Sequence, residues 1–235
     1  VARPSIVALA VVLLALGITA AVAGAVTLHG NARNELLIGT SGRDTIGGGG
    51  GADEIFGLAG PDTLRGGPGA DRIDGDGTCP KDAASAADCA NTGGNGNDVI
   101  AGDAGDDVLT GGAGDDVMRG NAGNDAIDGD SGDDRLFGDD GADALDGSLG
   151  DDRLSGGSGP DLIVGGAGND RLDGGPGRDD LRGGAGNDTI QARDGQVDQV
   201  SCGPGDDHVT ADPNDVVASD CEHVSRAKLS GSTSG

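Results

Sequence analysis

An aliphatic residue or Met recurs in one phase along residues 39–191, every nine positions apart from one interruption, with mostly glycine and polar residues between. A first run holds Ile46, Ile55, Leu64 and Ile73. A second holds Ile100, Leu109, Met118, Ile127, Leu136, Leu145, Leu154, Ile163, Leu172, Leu181 and Ile190. A lone aliphatic residue between two others fits a three-residue strand with its middle side chain facing inward. The six residues before each strand are rich in glycine, Asp and Asn, which suit turns. The pattern predicts short strands separated by six-residue turns, two such units closing one coil.

Two further residue types share this phase. Asp stands two positions before each apolar residue, at Asp44, Asp53, Asp62 and Asp71, and then at Asp98, Asp107, Asp116, Asp125, Asp134, Asp143, Asp152, Asp161, Asp170, Asp179 and Asp188. Gly stands two positions before every one of them, from Gly42 to Gly186. The unit is G-x-x-G-x-D-x-U-x, with U aliphatic or Met, as in Gly165-Gly166-Ala167-Gly168-Asn169-Asp170-Arg171-Leu172-Asp173. Chance does not hold three residue types in one phase fifteen times.

This unit resembles the hemolysin-type calcium-binding repeat of the RTX family, G-G-x-G-x-D-x-U-x. The resemblance covers 39–191 apart from one insertion. It implies an all-β chain folded as a right-handed parallel β-roll, in which residues eighteen apart stack. It also implies that the position-six Asp and the turn carbonyls of repeats n and n+2 share a Ca2+ ion. The fifteen aspartates from Asp44 to Asp188 are on that basis the expected metal ligands. Thr40, Leu58 and Ser148 replace the second glycine and are expected to weaken their turns.

Composition sharpens the picture. The chain has 50 Gly, two Phe, no Trp and no Tyr, and a formal net charge of −26 from 41 acidic and 15 basic residues. A disordered acidic chain or a low-complexity linker would share this composition but not the periodicity. The acid excess argues against nucleic acid and anionic membranes as partners of the repeats and favours multivalent cations. Calcium suits carboxylate and carbonyl oxygens. Zinc would want the His and Cys that the repeats lack, and magnesium demands a stricter octahedron. Stacked coils line up aspartates in two files of like charge. One aliphatic residue per repeat is little burial to set against ordering nine residues. Without metal the array is expected not to fold.

The remaining segments frame the roll. Residues 6–23 are almost wholly apolar and follow Arg3, which reads as a signal peptide over 1–25 cleaved after Ala23 or Ala25. An uncleaved membrane anchor is the alternative. No twin-arginine pair is present, which favours the general secretory route. Residues 26–38, with Leu36, Leu37 and Ile38, are expected to cap the first coil. An insertion at 77–94 carries Cys79 and Cys89. After Gln191 the phase slips by one, with Asp198/Val200 and Asp207/Val209, and residues 192–225 are expected to form a degenerate cap. Residues 226–235 read as a flexible tail. The four cysteines allow three pairings. In an exported chain Cys79–Cys89 would close the insertion and Cys202–Cys221 would staple the C-terminal end, with free thiols as the alternative. Asp74-Gly75-Asp76-Gly77 lacks the first Asp and final Glu of an EF-hand.

No catalytic constellation emerges. His29, His208 and His223 lie outside the repeats, Gly129-Asp130-Ser131-Gly132-Asp133 falls in repeat phase, and no phosphate-binding G-x-x-x-x-G-K-[ST] is present. The expectation is a non-enzymatic, secreted calcium-binding protein. A cell-surface adhesion or matrix module with an unidentified extracellular partner is the alternative. An ice-binding face would need regular Thr ladders, whereas outward positions mix Arg, Asp, Ala and Val. Many RTX proteins carry an uncleaved C-terminal export signal, and the N-terminal signal expected here departs from that pattern.

Overall fold

The computed structural model describes residues 25–76 and 96–226. The described residues form an all-β parallel roll of two facing sheets, one of 11 strands and one of 10. Successive strands alternate between the sheets. Thr45–Gly47, Thr63–Pro68 and Val99–Ala104 are neighbours in the first sheet, whereas Glu54–Phe56, Arg72–Asp74 and Val108–Ala113 are neighbours in the second. Each strand pairs in parallel with the strand one coil away. Within the unbroken repeats the offset is eighteen residues, as in Leu136↔Leu154 and Ile127↔Leu145.

The core follows directly from the nine-residue phase. Ile46, Leu64, Ile100, Met118, Leu136, Leu154, Leu172 and Ile190 form one inward column, each at most 2% exposed. Ile55, Ile73, Leu109, Ile127, Leu145, Ile163 and Leu181 form the facing column and are equally buried. Burying a Leu or Ile contributes about 1.5–3 kcal/mol, so each coil contributes two such increments.

Many strands are six residues long, as in Arg153–Ser158, and not the three that the pattern predicts. The ladder runs on through the first three turn positions, pairing Asp139 with Gly157. Outside Thr40 and Asp76 the second turn position has positive φ, and Leu58, Asp103, Asn121, Asp130, Asp139 and Ser148 hold it in the left-handed region with φ between 67° and 80°. Asp and Asn tolerate that region, whereas Leu58 adopts it at a steric cost.

The insertion leaves the register intact. Thr63–Pro68 pairs with Val99–Ala104 across an offset of thirty-six, two coils of sequence for one coil of structure. The Asp76 carboxylate holds the re-entry point, accepting from Gly96 N–H at 3.1 Å and Ala113 N–H at 3.1 Å. Cys79 and Cys89, the apolar run 6–23 and residues 227–235 lie outside the described residues. Beyond Gln191 the same two sheets continue through Gln199–Ser201, His208–Ala211, Val216–Val217 and His223–Arg226. A Cys202–Cys221 disulfide ties these last coils together. At the other end Thr27–His29 and Leu36–Ile38 lay down the first coil, with Leu28 and Leu37 packed against the core. Among the described residues no helix is long and apolar enough to cross a membrane.

Candidate metal centres in the stacked turns

Each repeat aspartate sits at the last turn position, where the backbone enters a strand, so its side chain is carried inward beneath the turn. All fifteen, from Asp44 to Asp188, are at most 3% exposed. Their two carboxylate oxygens have different surroundings. Oδ1 accepts a hydrogen bond from the backbone N–H of the residue one coil before it, Val26 for Asp44, Glu35 for Asp53 and an aspartate for the others, as in Asp134 to Asp152 at 2.8 Å and Asp170 to Asp188 at 2.9 Å. This bond links consecutive members of each file and fixes the rotamer of every carboxylate.

Oδ2 is buried and has no hydrogen-bond partner in fourteen of the fifteen, from Asp53 to Asp188. Leaving a carboxylate oxygen unpaired in the interior is costly, and the cost recurs in every coil. The opening beside it is built by glycine. A Cβ at Gly165 would lie 2.5 Å from Asp170 Oδ2 and 2.4 Å from the Gly183 carbonyl oxygen. At Gly156 the corresponding distances are 2.2 Å to Asp161 Oδ2 and 2.7 Å to the Gly174 carbonyl. The first glycine of each unit therefore keeps clear a space between an anionic oxygen and a backbone carbonyl of the next coil. The fourth position brings the coils still closer, since a Cβ at Gly168 would lie 1.7 Å from the Gly150 carbonyl, with φ at +147°.

Electrostatics point the same way. Desolvation raises the carboxyls of Asp62, Asp98, Asp107, Asp152, Asp161 and Asp170 to about 7 and that of Asp116 to about 8. At Asp116 the hydrogen bond from the Asp98 backbone N–H offsets part of the rise, whereas the neighbouring carboxylates of Asp98 and Asp134 add to it. A divalent cation would remove both penalties. The donors present are carboxylate and carbonyl oxygens, which fit calcium. Among the described residues no three His, Cys, Asp or Glu side chains gather into a cage, so main-chain carbonyls must complete any coordination sphere.

Asp44 differs from the other candidates. Its Oδ2 accepts from Thr40 N–H at 2.5 Å and from Thr40 Oγ1 at 3.1 Å, so the threonine that replaces a turn glycine already satisfies this carboxylate. Asp198 and Asp207 were not among the sequence candidates, yet each is buried with an unpartnered Oδ2. Asp179 N–H donates to Asp198 Oδ1 and Asp188 N–H to Asp207 Oδ1, across offsets of nineteen. The Asp-x-Val spacing at both was the available signal, obscured by the slip of one residue.

A family model described as RTX calcium-binding nonapeptide repeat (4 copies) matches overlapping stretches at 29–64, 47–77, 92–127, 119–154, 146–181, 155–190 and 173–196. Together these cover well over half of the chain and all fifteen sequence-candidate aspartates. No curated protein matches the chain.

Proposed function

The chain belongs to the RTX calcium-binding nonapeptide repeat family, whose repeats bind Ca2+ at multiple sites, and from that premise we propose that it is an exported protein whose roll folds around stacked calcium ions and performs no catalysis of its own. The observation that carries this reading is the file of buried Oδ2 atoms without partners. Asp53 to Asp188 would each offer Oδ2, and the turn carbonyls of adjacent coils would supply further donors. Bound calcium supplies positive charge and a preference for six to eight oxygens. The protein side of the reaction is positional: Oδ1 is held by the neighbouring coil, which leaves Oδ2 aimed at the glycine-lined opening. Asp198 and Asp207 extend the same donor pattern into the C-terminal coils.

Coupling to folding follows from the sequence separation of the donors. Asp170 and Gly183 meet only when two coils have stacked, so the site does not exist in the unfolded chain, and binding free energy becomes folding free energy. We take 39–191 as the calcium-binding roll, with 26–38 and 192–225 as its ends. Export rests on the apolar run 6–23 and on the secretion typical of this repeat family. The absence of intrinsic catalysis is read from repeats without His or Lys and from candidate histidines confined to the end coils.

The test is a titration of free calcium monitored by circular dichroism and hydrodynamic radius. A steep, cooperative gain of β structure with compaction is expected. Full β structure and a compact radius in excess chelator, unchanged by calcium, would defeat the reading. Export is checked separately by mass spectrometry of secreted material, where a new N-terminus near Gly24 or Val26 is expected, whereas an intact N-terminus found only in membranes counts against it.

A further inference from the structure

The outer face of the first sheet carries an arginine ladder. Arg135 pairs in register with Arg153, and Arg153 with Arg171, on three consecutive parallel strands. All three are exposed. Neighbouring strands lie about 4.8 Å apart, so three arginine side chains leave the sheet in a row at that spacing. Like charges directly opposite one another on a sheet are destabilising.

Among the described residues no ion pair neutralises this row, although the chain carries 41 acidic residues. The ion pairs among the described residues are Arg65–Asp103, Arg72–Asp74, Arg119–Asp139, Arg182–Asp180 and His223–Asp206. None includes Arg135, Arg153 or Arg171. The Asp151 carboxyl is lowered mainly by the hydrogen bonds it accepts from Asn169 and only in part by Arg171. Three cations in file without an ion pair among the described residues are a conspicuous arrangement in a chain of net charge −26. The row is all arginine, whose planar fork matches carboxylates bidentately and is poorly replaced by lysine.

The surroundings narrow the ligand. Exposed Thr189 stands in register beside Arg171 and exposed Gln191 beside exposed Asp173, while half-buried Ser155 lies between Phe137 and Asp173 on the same face, so hydroxyl and amide groups for hydrogen bonds to polyols flank the ladder together with one carboxylate. Phenyl, phenol and indole platforms for nucleobases are missing beside the ladder: Phe56 is buried, Phe137 is covered by Arg119, whose guanidinium carbon lies 4.4 Å from the ring centroid, and the stacked His208 and His223 lie two and three strands beyond Arg171. Single-stranded nucleic acid is usually held by such platforms. An extended acidic glycan presents carboxylates at intervals comparable to one or two strand spacings, together with the hydroxyls that the flanking residues fit.

We propose that the Arg135–Arg153–Arg171 ladder is a docking strip for a linear anionic polysaccharide whose uronate carboxylates pair with successive guanidinium groups. The strip exists only when the coils are stacked, so the proposal rests on the calcium-folded roll. Calcium loading would also lower the general repulsion between the acidic chain and a polyanion.

The test uses the full chain at fixed free calcium, with a galacturonate hexamer as probe, its methyl-esterified form as the uncharged control and a thymidylate hexamer as the nucleic-acid control. Circular dichroism is recorded on every sample. The uronate hexamer is expected to bind, and the esterified form is not. The triple variant R135Q/R153Q/R171Q should lose at least tenfold in affinity with its β signal intact. R33Q/R43Q/R193Q, which removes the same charge from exposed positions off the strip, should bind as the parent does. The lysine triple R135K/R153K/R171K should recover only part of the affinity. Folded parent protein that ignores the hexamer overturns the strip, as does equal weakening by both glutamine triples. Ladder-dependent binding of the thymidylate hexamer at comparable affinity assigns the face to nucleic acid and overturns the glycan. A chain that fails to fold in calcium overturns the calcium reading, and the strip with it.

Discussion

Asp125 donates its backbone N–H to Oδ1 of Asp143 at 2.8 Å, while Oδ2 of the same Asp143 carboxylate is buried with no partner at all. One side chain thus serves two purposes, which two substitutions separate. Asp143→Asn keeps an oxygen for the Asp125 N–H and loses the charge. Asp143→Ala loses both and leaves a buried N–H unsatisfied, a further cost of about 1–3 kcal/mol. Both variants should need more calcium to fold, and Asp143→Ala should also show the lower Tm in saturating calcium. Asp188→Ala lies nearer the end of the array and should cost less than Asp143→Ala. Calcium titrations by circular dichroism, followed by thermal melts, decide this. Equal behaviour of Asp143→Asn and the parent would contradict the assignment of Oδ2 as a donor.

A methyl group at Gly165 would intrude between Asp170 Oδ2 and the Gly183 carbonyl. The residue is not in the left-handed region, so the added cost is steric and local to the opening. Gly165→Ala should raise the calcium midpoint and lower cooperativity. Gly168→Ala also collides with the backbone of the neighbouring coil and should be the more damaging of the two. Isothermal titration of both variants, counting bound ions, provides the check; an unchanged stoichiometry and midpoint for Gly165→Ala would speak against the opening as the site.

Acidity should act in opposite directions with and without metal. In the metal-free roll the carboxyls of Asp62 and Asp98 rise to about 7 and that of Asp116 to about 8, chiefly through desolvation. An unfolded aspartate titrates near 3.9. The folded state therefore binds more protons between about pH 4 and 8, and metal-free stability falls as pH rises through that window. In chelator, β structure should be greatest near pH 4 and vanish toward neutrality. With calcium present, binding displaces protons, so the midpoint for calcium should fall as pH rises. Circular dichroism in chelator across this range would reject the account if β structure increased with pH.

The Cys202–Cys221 disulfide closes a loop with a sequence separation of 19 across the last coils. Chain-entropy arguments assign such a loop about 3 kcal/mol. The double variant C202A/C221A should lose protection from hydrogen exchange chiefly in residues 199–226, with the repeats around Leu136 little affected, because coils contact only their neighbours. Uniform loss of protection along the roll would refute that locality.

Much of the roll was legible in the sequence because a solenoid converts sequence period into spatial contact. The inward column from Ile46 to Ile190 and the buried file from Asp53 to Asp188 both occupy the positions set by the nine-residue phase. Other features depended on local context. Thr40 reads as a substituted glycine, and only the turn geometry turns its hydroxyl onto Asp44. The strands grew from three residues to six because the backbone of the first turn positions continues the ladder, a property that glycine-rich sequence does not advertise.

The sequence by itself determined the period, the inward aliphatic residue and the phase of the aspartates, since each follows from side-chain alternation and from stacking at a constant offset. Tertiary structure decided what happens where that offset changes. Asp198 and Asp207 keep their place in the files although the chain has slipped by one residue, because the extra residue is absorbed in a turn while the strands stay paired. It also decided which oxygen of each carboxylate is free. That division depends on the N–H of a residue one coil away, a contact that exists only once two coils are stacked.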